Sequence, residues 1–189
     1  DLTWSITRNF ASRNWGYPLR WIKLILSVLF LGLLACDIPE VLYDNPLDTA
    51  NNSPPSLVFY PDKIETSVGG TAVVNAYVLE VTGVTGVHAQ IQYDNAKLLV
   101  SSVSPGTFFS GTQAPIFVYE DNNGVLDIYT FYMGSDGSVD GTGDVALVVF
   151  NTRIPGESQI QFTSESELVD PNDQPITING LGQGVVNAE

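Results

Sequence analysis

Gly86-Val87-His88-Ala89-Gln90-Ile91-Gln92-Tyr93 alternates apolar and polar residues from Val87 to its end. Successive side chains of an extended chain point to opposite faces, so Val87, Ala89, Ile91 and Tyr93 share one side and His88, Gln90 and Gln92 the other. A helix would scatter both sets around its circumference. Unpartnered polar groups are costly to bury, so the apolar row faces a dry interior and the polar row faces outward. Asp94-Asn95 then ends the run with turn-forming residues.

Extended in both directions, the same reading finds short apolar runs cut by turn signals and no 3.6-residue period long enough for a helix. Strands are expected at 56–60, 71–81, 86–93, 98–104, 115–120, 124–132, 144–152, 158–163 and 175–186. Between them stand Gly69-Gly70, Gly83, Pro105-Gly106, Asn122-Asn123-Gly124, Pro155-Gly156 and Asp170-Pro171-Asn172, all turn-forming combinations. Asn123-Gly124 is the sharpest of them, since both residue types tolerate the positive φ of a tight hairpin. Nine strands without space for crossover helices make an all-β fold of two packed sheets, a β-sandwich.

Two further strands carry face information. In 124–132, Leu126, Ile128, Thr130 and Tyr132 form one row and Val125, Asp127, Tyr129 and Phe131 the other. Asp127 is the costlier residue to bury, so its row turns outward and leaves Tyr129 and Phe131 partly exposed. The alternative is that those two aromatics are covered by the 105–114 loop or turned inward by a bulge. In 144–152 both rows are apolar, which marks a central strand.

Charge divides the chain unevenly. Arg8, Arg13, Arg20 and Lys23 precede Cys36, whereas Lys63, Lys97 and Arg153 are the cations after it; with 20 of the 21 acidic residues, the balance from Cys36 onward is 3 minus 20, or −17. Nucleic-acid binding needs a cluster of cations that this part lacks. Such a charge suits solubility, divalent cations or a basic partner. One cysteine allows no intrachain disulfide.

Leu24 to Ala35, LILSVLFLGLLA, is twelve residues without a charge, preceded by Arg20 and Lys23. That is short of the roughly 20 apolar residues of a permanent span and fits the apolar part of an export signal. Leu33-Leu34-Ala35-Cys36 resembles the lipobox of bacterial lipoproteins, which implies fatty acylation of Cys36 and attachment to a membrane, at the cell surface or in the periplasm. Several acyl chains hold where one would be marginal. An uncleaved signal anchor, or a secretory peptide with an incidental Cys36, is the other reading; Asp37 resembles an inner-membrane retention signal of some Gram-negative lineages. The expected organisation is a signal over 1–35, with 1–17 an upstream extension, a lipidated cysteine and proline-rich flexible stalk over 36–55, and the sandwich over 56–189.

The sandwich resembles a cohesin domain, the bacterial module that binds dockerins. The likeness is carried by Ser67-Val68-Gly69, by Gly86 to Asp94, by Lys97-Leu98-Leu99-Val100-Ser101-Ser102-Val103 and by Pro105-Gly106. It continues through Leu126-Asp127-Ile128-Tyr129-Thr130-Phe131, Asp140 to Phe150 and Gly182-Gln183-Gly184-Val185-Val186. It implies a nine-stranded jelly-roll β-sandwich whose binding sheet holds the third, fifth, sixth and eighth expected strands. His88, Gln90, Gln92, Asp127, Tyr129 and Phe131 would form the partner face, with Phe117 and Tyr119 or their neighbours as lesser contacts. Family members that bind dockerins tend to carry an Asn/Asp arrangement where this chain has His88 and Gln90. Exposed aromatics also stack on sugar rings, so polysaccharide binding competes, and a purely structural lipoprotein domain is a third reading. His88 reads as an ordinary surface histidine; within an interface, its protonation would alter affinity.

Asp136, Ser138, Asp140 and Asp144 stand at relative positions 1, 3, 5 and 9, with a glycine at 6, like the first part of a calcium loop. Leu147 occupies position 12 in place of the bidentate glutamate, so a plain acidic β-loop is preferred, no cofactor is expected and calcium is the alternative. Glu165, Glu167, Asp170 and Asp173 lack ligand spacing and read as a solvated loop. With one histidine and no phosphate or zinc motif, catalysis is not expected.

Overall fold

The computed structural model describes residues 45–111, 114–134 and 137–189. The segment 1–35 expected to be a signal, Cys36 and Asp136 lie outside the described residues. Thirteen strands are present among them: β1 Ser56–Tyr60, β2 Lys63–Thr66, β3 Thr71–Val84, β4 Gly86–Tyr93, β5 Leu98–Pro105, β6 Ile116–Asp121, β7 Val125–Phe131, β8 Val139–Thr152, β9 Gly156–Phe162, β10 Glu167–Val169, β11 Pro175–Ile176, β12 Gly180–Leu181 and β13 Gln183–Ala188.

They form two sheets. The first runs β12-β1-β3-β8-β5. In the second, β6 pairs β7 and β7 pairs β4. The far edge of β4 is shared, its first half by β10 and its second half by β9, and β13 and β2 continue from β9. The gap between β9 and β10 is bridged by Ser166, whose Oγ accepts from the Gln90 N–H, and by the Thr163 N–H, which donates to the Gln90 carbonyl. Phe59 of β1 and Phe162 of β9 stack at 4.1 Å and join the sheets at the centre of a core that also holds Val74, Ile91, Leu126, Ile128, Phe150 and Ile160.

The chain changes sheet near both ends. β1 lies in the first sheet and β2 in the second, and the C-terminal segment repeats the move from β12 to β13. A Cβ at Gly182, between β12 and β13, would sit 2.9 Å from the Val58 backbone, so a side chain is excluded at that crossing. The two crossings clip the sandwich through parallel pairs, β1 with β12 and β2 with β13.

The all-β sandwich is as expected, and the differences lie in its edges. β2 was not anticipated, being four residues long and only partly buried. The expected strand 175–186 is three short pieces, and Glu167 belongs to β10 rather than to a solvated loop. β8 begins at Val139 instead of 144 and lies between β3 and β5, with Ala146, Val148 and Phe150 buried. The expected stalk is ordered from residue 45 to 55: Asp48 caps consecutive turns, and Asn179 donates through its backbone and side chain to the carbonyls of Pro55 and Pro54. This segment, with Pro46, Asn51 and Asn52, lines a groove beside Val58, an outward-row residue that is only 2% exposed.

The Asn123-Gly124 hairpin forms, both residues having positive φ (52° and 112°), and the Asn122 N–H donates to the Val125 carbonyl. It places Asp121 within reach of β4, where the buried Tyr93 hydroxyl donates to Asp121 Oδ1 at 2.6 Å. Burial, reinforced by the Asp121 hydrogen bond and charge, holds the Tyr93 phenol well above the ordinary tyrosine range. The folded state therefore favours the protonated phenol, and this stabilisation is complete below the unfolded value near 10 and lost as pH rises beyond it. Tyr93→Phe is expected to lower stability at neutral pH by about 1–2 kcal/mol. Denaturant titrations of the two proteins should converge above pH 10; a gap that persists unchanged would contradict the assignment.

Candidate functional site

The outward face of β6-β7-β4-β10 is built by register. Directly opposed residues of neighbouring strands project to the same side. Tyr129 pairs with His88 and with Val118, and His88 pairs with Glu167, so one row reads Val118, Tyr129, His88, Glu167 across four strands. Below it runs Ile116, Phe131, Gly86, Val169, and above it Glu120, Asp127, Gln90. Tyr129 is 39% exposed and Val118 53%, while Phe131 is half-buried.

The polar members are tied together. Asp127 Oδ1 accepts from His88 Nε2 at 2.8 Å and from Gln90 Nε2 at 2.9 Å. A carboxylate offers only acceptors, so the His88 proton sits on Nε2. Gln90 Oε1 in turn accepts from the Thr163 hydroxyl at 2.6 Å, and Gln161 Nε2 donates to Gln92 Oε1 at 2.8 Å. The imidazole of His88 lies flat against the Tyr129 ring, with centroids 4.3 Å apart and planes 7° apart. Val118 stands opposite Tyr129 on the neighbouring strand, and Tyr129 remains 39% exposed. Partial burial, with the nearby Asp127 and Glu120 carboxylates, pushes its phenol above the usual value, so it remains a neutral donor.

His88, Gln90, Gln92, Asp127, Tyr129 and Phe131 are therefore brought together on one surface. Phe117 and Tyr119 are not part of it. They pair with Thr130 and Ile128, whose side chains point to the core, so both project to the opposite side, with Phe117 packed against the core. The outward residues of β6 are Ile116, Val118 and Glu120. Four consecutive apolar or aromatic residues, Ile116 to Tyr119, contain no alternation by which to choose. Glu167 and Val169 were also missed; the one available signal was Leu168, a lone apolar residue between polar neighbours, consistent with a short strand.

The loop after β5 leaves Tyr129 uncovered through its described residues. It turns inward instead: Phe108 and Phe109 are buried at the end of the sandwich, and the Tyr132 hydroxyl donates to the Phe109 carbonyl at 2.9 Å.

The acidic segment expected to be a loop is largely strand. Asp140 and Asp144 lie on β8, and four extended residues span about 13 Å. Asp140 Oδ1 accepts from the Gly83 N–H, while Asp144 accepts from the backbone N–H and hydroxyl of Thr107. Ser138 is exposed just before the strand. Among the described residues, no group of three or more His, Cys, Asp or Glu is placed to hold a metal ion.

Comparison with known proteins returns one family. The cohesin-domain model matches residues 58–185. Among curated protein sequences none matches the chain. A type II cohesin domain from the cellulosome of Acetivibrio cellulolyticus superposes with a TM-score of 0.61 at 21% identity, covering 70% of this chain and 94% of that one. A non-cellulosomal cohesin from the archaeon Archaeoglobus fulgidus gives 0.59 at 16% identity over 71% and 90%. The sixth cohesin of scaffoldin B from Acetivibrio cellulolyticus, solved in complex with a dockerin, gives 0.58 at 20% identity over 71% and 98%. At these identities the likeness is one of fold.

Proposed function

The chain belongs to the cohesin domain family, and from that footing we propose that it is a non-catalytic docking module which binds a dockerin-bearing partner through the outward face of β6-β7-β4-β10. The observation that carries this reading is the row Val118, Tyr129, His88, Glu167: an exposed aromatic stacked on His88, beside the hydrogen-bonded His88, Gln90 and Asp127. A pre-organised aromatic ringed by satisfied polar groups suits a protein interface, where such residues supply most of the energy. Sugar stacking needs an open ring face, and His88 already lies against one face of Tyr129, which weighs against the polysaccharide reading.

Substitution across the faces tests it. Val118→Asp is expected to weaken dockerin binding at least about tenfold, since it places an unpaired charge beside the central aromatic. Tyr119→Ala, one residue on but pointing the other way, and Val73→Asp on the outer face of the first sheet are expected to leave affinity within about twofold. Loss of binding in Val73→Asp with Val118→Asp unaffected would assign docking to the other sheet.

The run Leu24 to Ala35 ending at Cys36 supports a second part of the proposal, that the module is carried on a lipid-modified cysteine. Cys36→Ser is expected to move the protein from the detergent-extracted membrane fraction to the soluble fraction. Unchanged membrane retention would argue for an uncleaved anchor.

A further inference from the structure

Resting on the docking reading above, we infer that the partner is held by a paired anchor: one aliphatic side chain seated over Gly86, and beside it a lysine or arginine that meets Glu167. The seat is a depression of about 220 Å³ lined by Gly86, Val87, His88, Tyr129, Phe131, Glu167 and Val169. It exists because position 86 has no side chain. In the row Ile116, Phe131, Gly86, Val169 the neighbours on either side close in on Gly86, which is itself buried, and a Cβ there would stand 2.9 Å from Val169 Cγ2 and 3.2 Å from Phe131 Cβ. The next row closes one side with the stacked His88 and Tyr129 rings. An apolar seat framed by rings and a valine favours a partner's aliphatic tip over a polar one.

Charge selects the rest of the partner. Glu120, Asp127 and Glu167 lie on this face. The cations among the described residues stand elsewhere: Lys63 is on β2 at the far edge of the sheet, Lys97 donates to the Glu157 carbonyl and Arg153 to the Asn95 carbonyl. Asp127 is already engaged by His88 and Gln90 and Glu120 lies a row away from the seat, which leaves Glu167, exposed on its rim, as the carboxylate beside the aliphatic anchor. A second copy of this acidic chain would bring the same carboxylates against themselves, so the fitting occupant is a basic partner surface.

A display library on a dockerin module, with its helix-surface positions randomised, is selected against the full chain. Binders are expected to carry a lysine or arginine near a leucine, isoleucine or valine, and to weaken at least tenfold with Glu167→Lys and with Gly86→Ala. A lysine-to-glutamate change in the binder should restore affinity for Glu167→Lys. Val169→Phe fills the seat from β10 and leaves the sequence of β4 unaltered; with an unchanged melting temperature it should weaken binding as Gly86→Ala does. Binders lost on Tyr129→Ala but indifferent to Glu167→Lys and Val169→Phe would overturn the paired anchor and leave the docking face standing. Acidic binders that are lost on Tyr129→Ala would likewise overturn the paired anchor alone, whereas indifference to all of these substitutions, including Tyr129→Ala, or selection of no binder would overturn both.

Discussion

Tyr129→Ala is expected to weaken dockerin binding by roughly 30- to 1,000-fold, the equivalent of about 2–4 kcal/mol, while the domain melts within about 2 °C of the unaltered protein. The two parts of this result come from the same geometry. Tyr129 is 39% exposed and outside the core, so folding depends little on it. On the face, however, it stands centrally between Val118 and His88. Its removal takes away the ring against which the His88 imidazole lies, and with it one support for the Asp127 contact. Calorimetric titration with a cognate dockerin reads the first part and differential scanning calorimetry the second. Binding that persists with the fold intact would mean that the partner sits elsewhere.

The largest effect on stability is expected at the opposite extreme of burial. Phe59 is 1% exposed and stacks on Phe162 across the two sheets. Phe59→Ala removes a ring from a site that cannot collapse, because strands on both sides are fixed by their ladders; a loss of about 3–5 kcal/mol follows. In a domain of this size that corresponds to a fall in melting temperature on the order of 10–20 °C. Urea denaturation followed by the protein's intrinsic fluorescence would measure it. A loss under about 1 kcal/mol would show that the sheets are joined by something other than this stack.

Strands with a regular alternation were legible in advance. Gly86 to Tyr93 declared both its bounds and its faces, and a single carboxylate, Asp127, oriented the whole of β7. Face assignment failed where no polar residue breaks the tie: Ile116, Phe117, Val118 and Tyr119 differ too little, and only the register against β7 separates the outward Val118 from the inward Phe117. Gly141, Thr142 and Gly143 disguised the start of β8 as a loop, although they pair with β3 or extend the ladder toward it. The inward turn of Phe108 and Phe109 had one signal, two adjacent phenylalanines in a segment of small and polar residues. Glu167 was hidden among neighbouring acids, and its place beside His88 depends on a three-residue strand that composition does not announce. The family likeness supplied which sheet to consider, whereas the register supplied which residues of that sheet face outward.

The most direct test of the docking assignment is a calorimetric titration of the chain with purified dockerin modules, run beside the same titration with soluble polysaccharides. Saturable one-to-one dockerin binding that is lost with Val118→Asp, and no heat from the polysaccharides, is the expected result. Saturable polysaccharide binding abolished by Val118→Asp, with no dockerin bound, would contradict it.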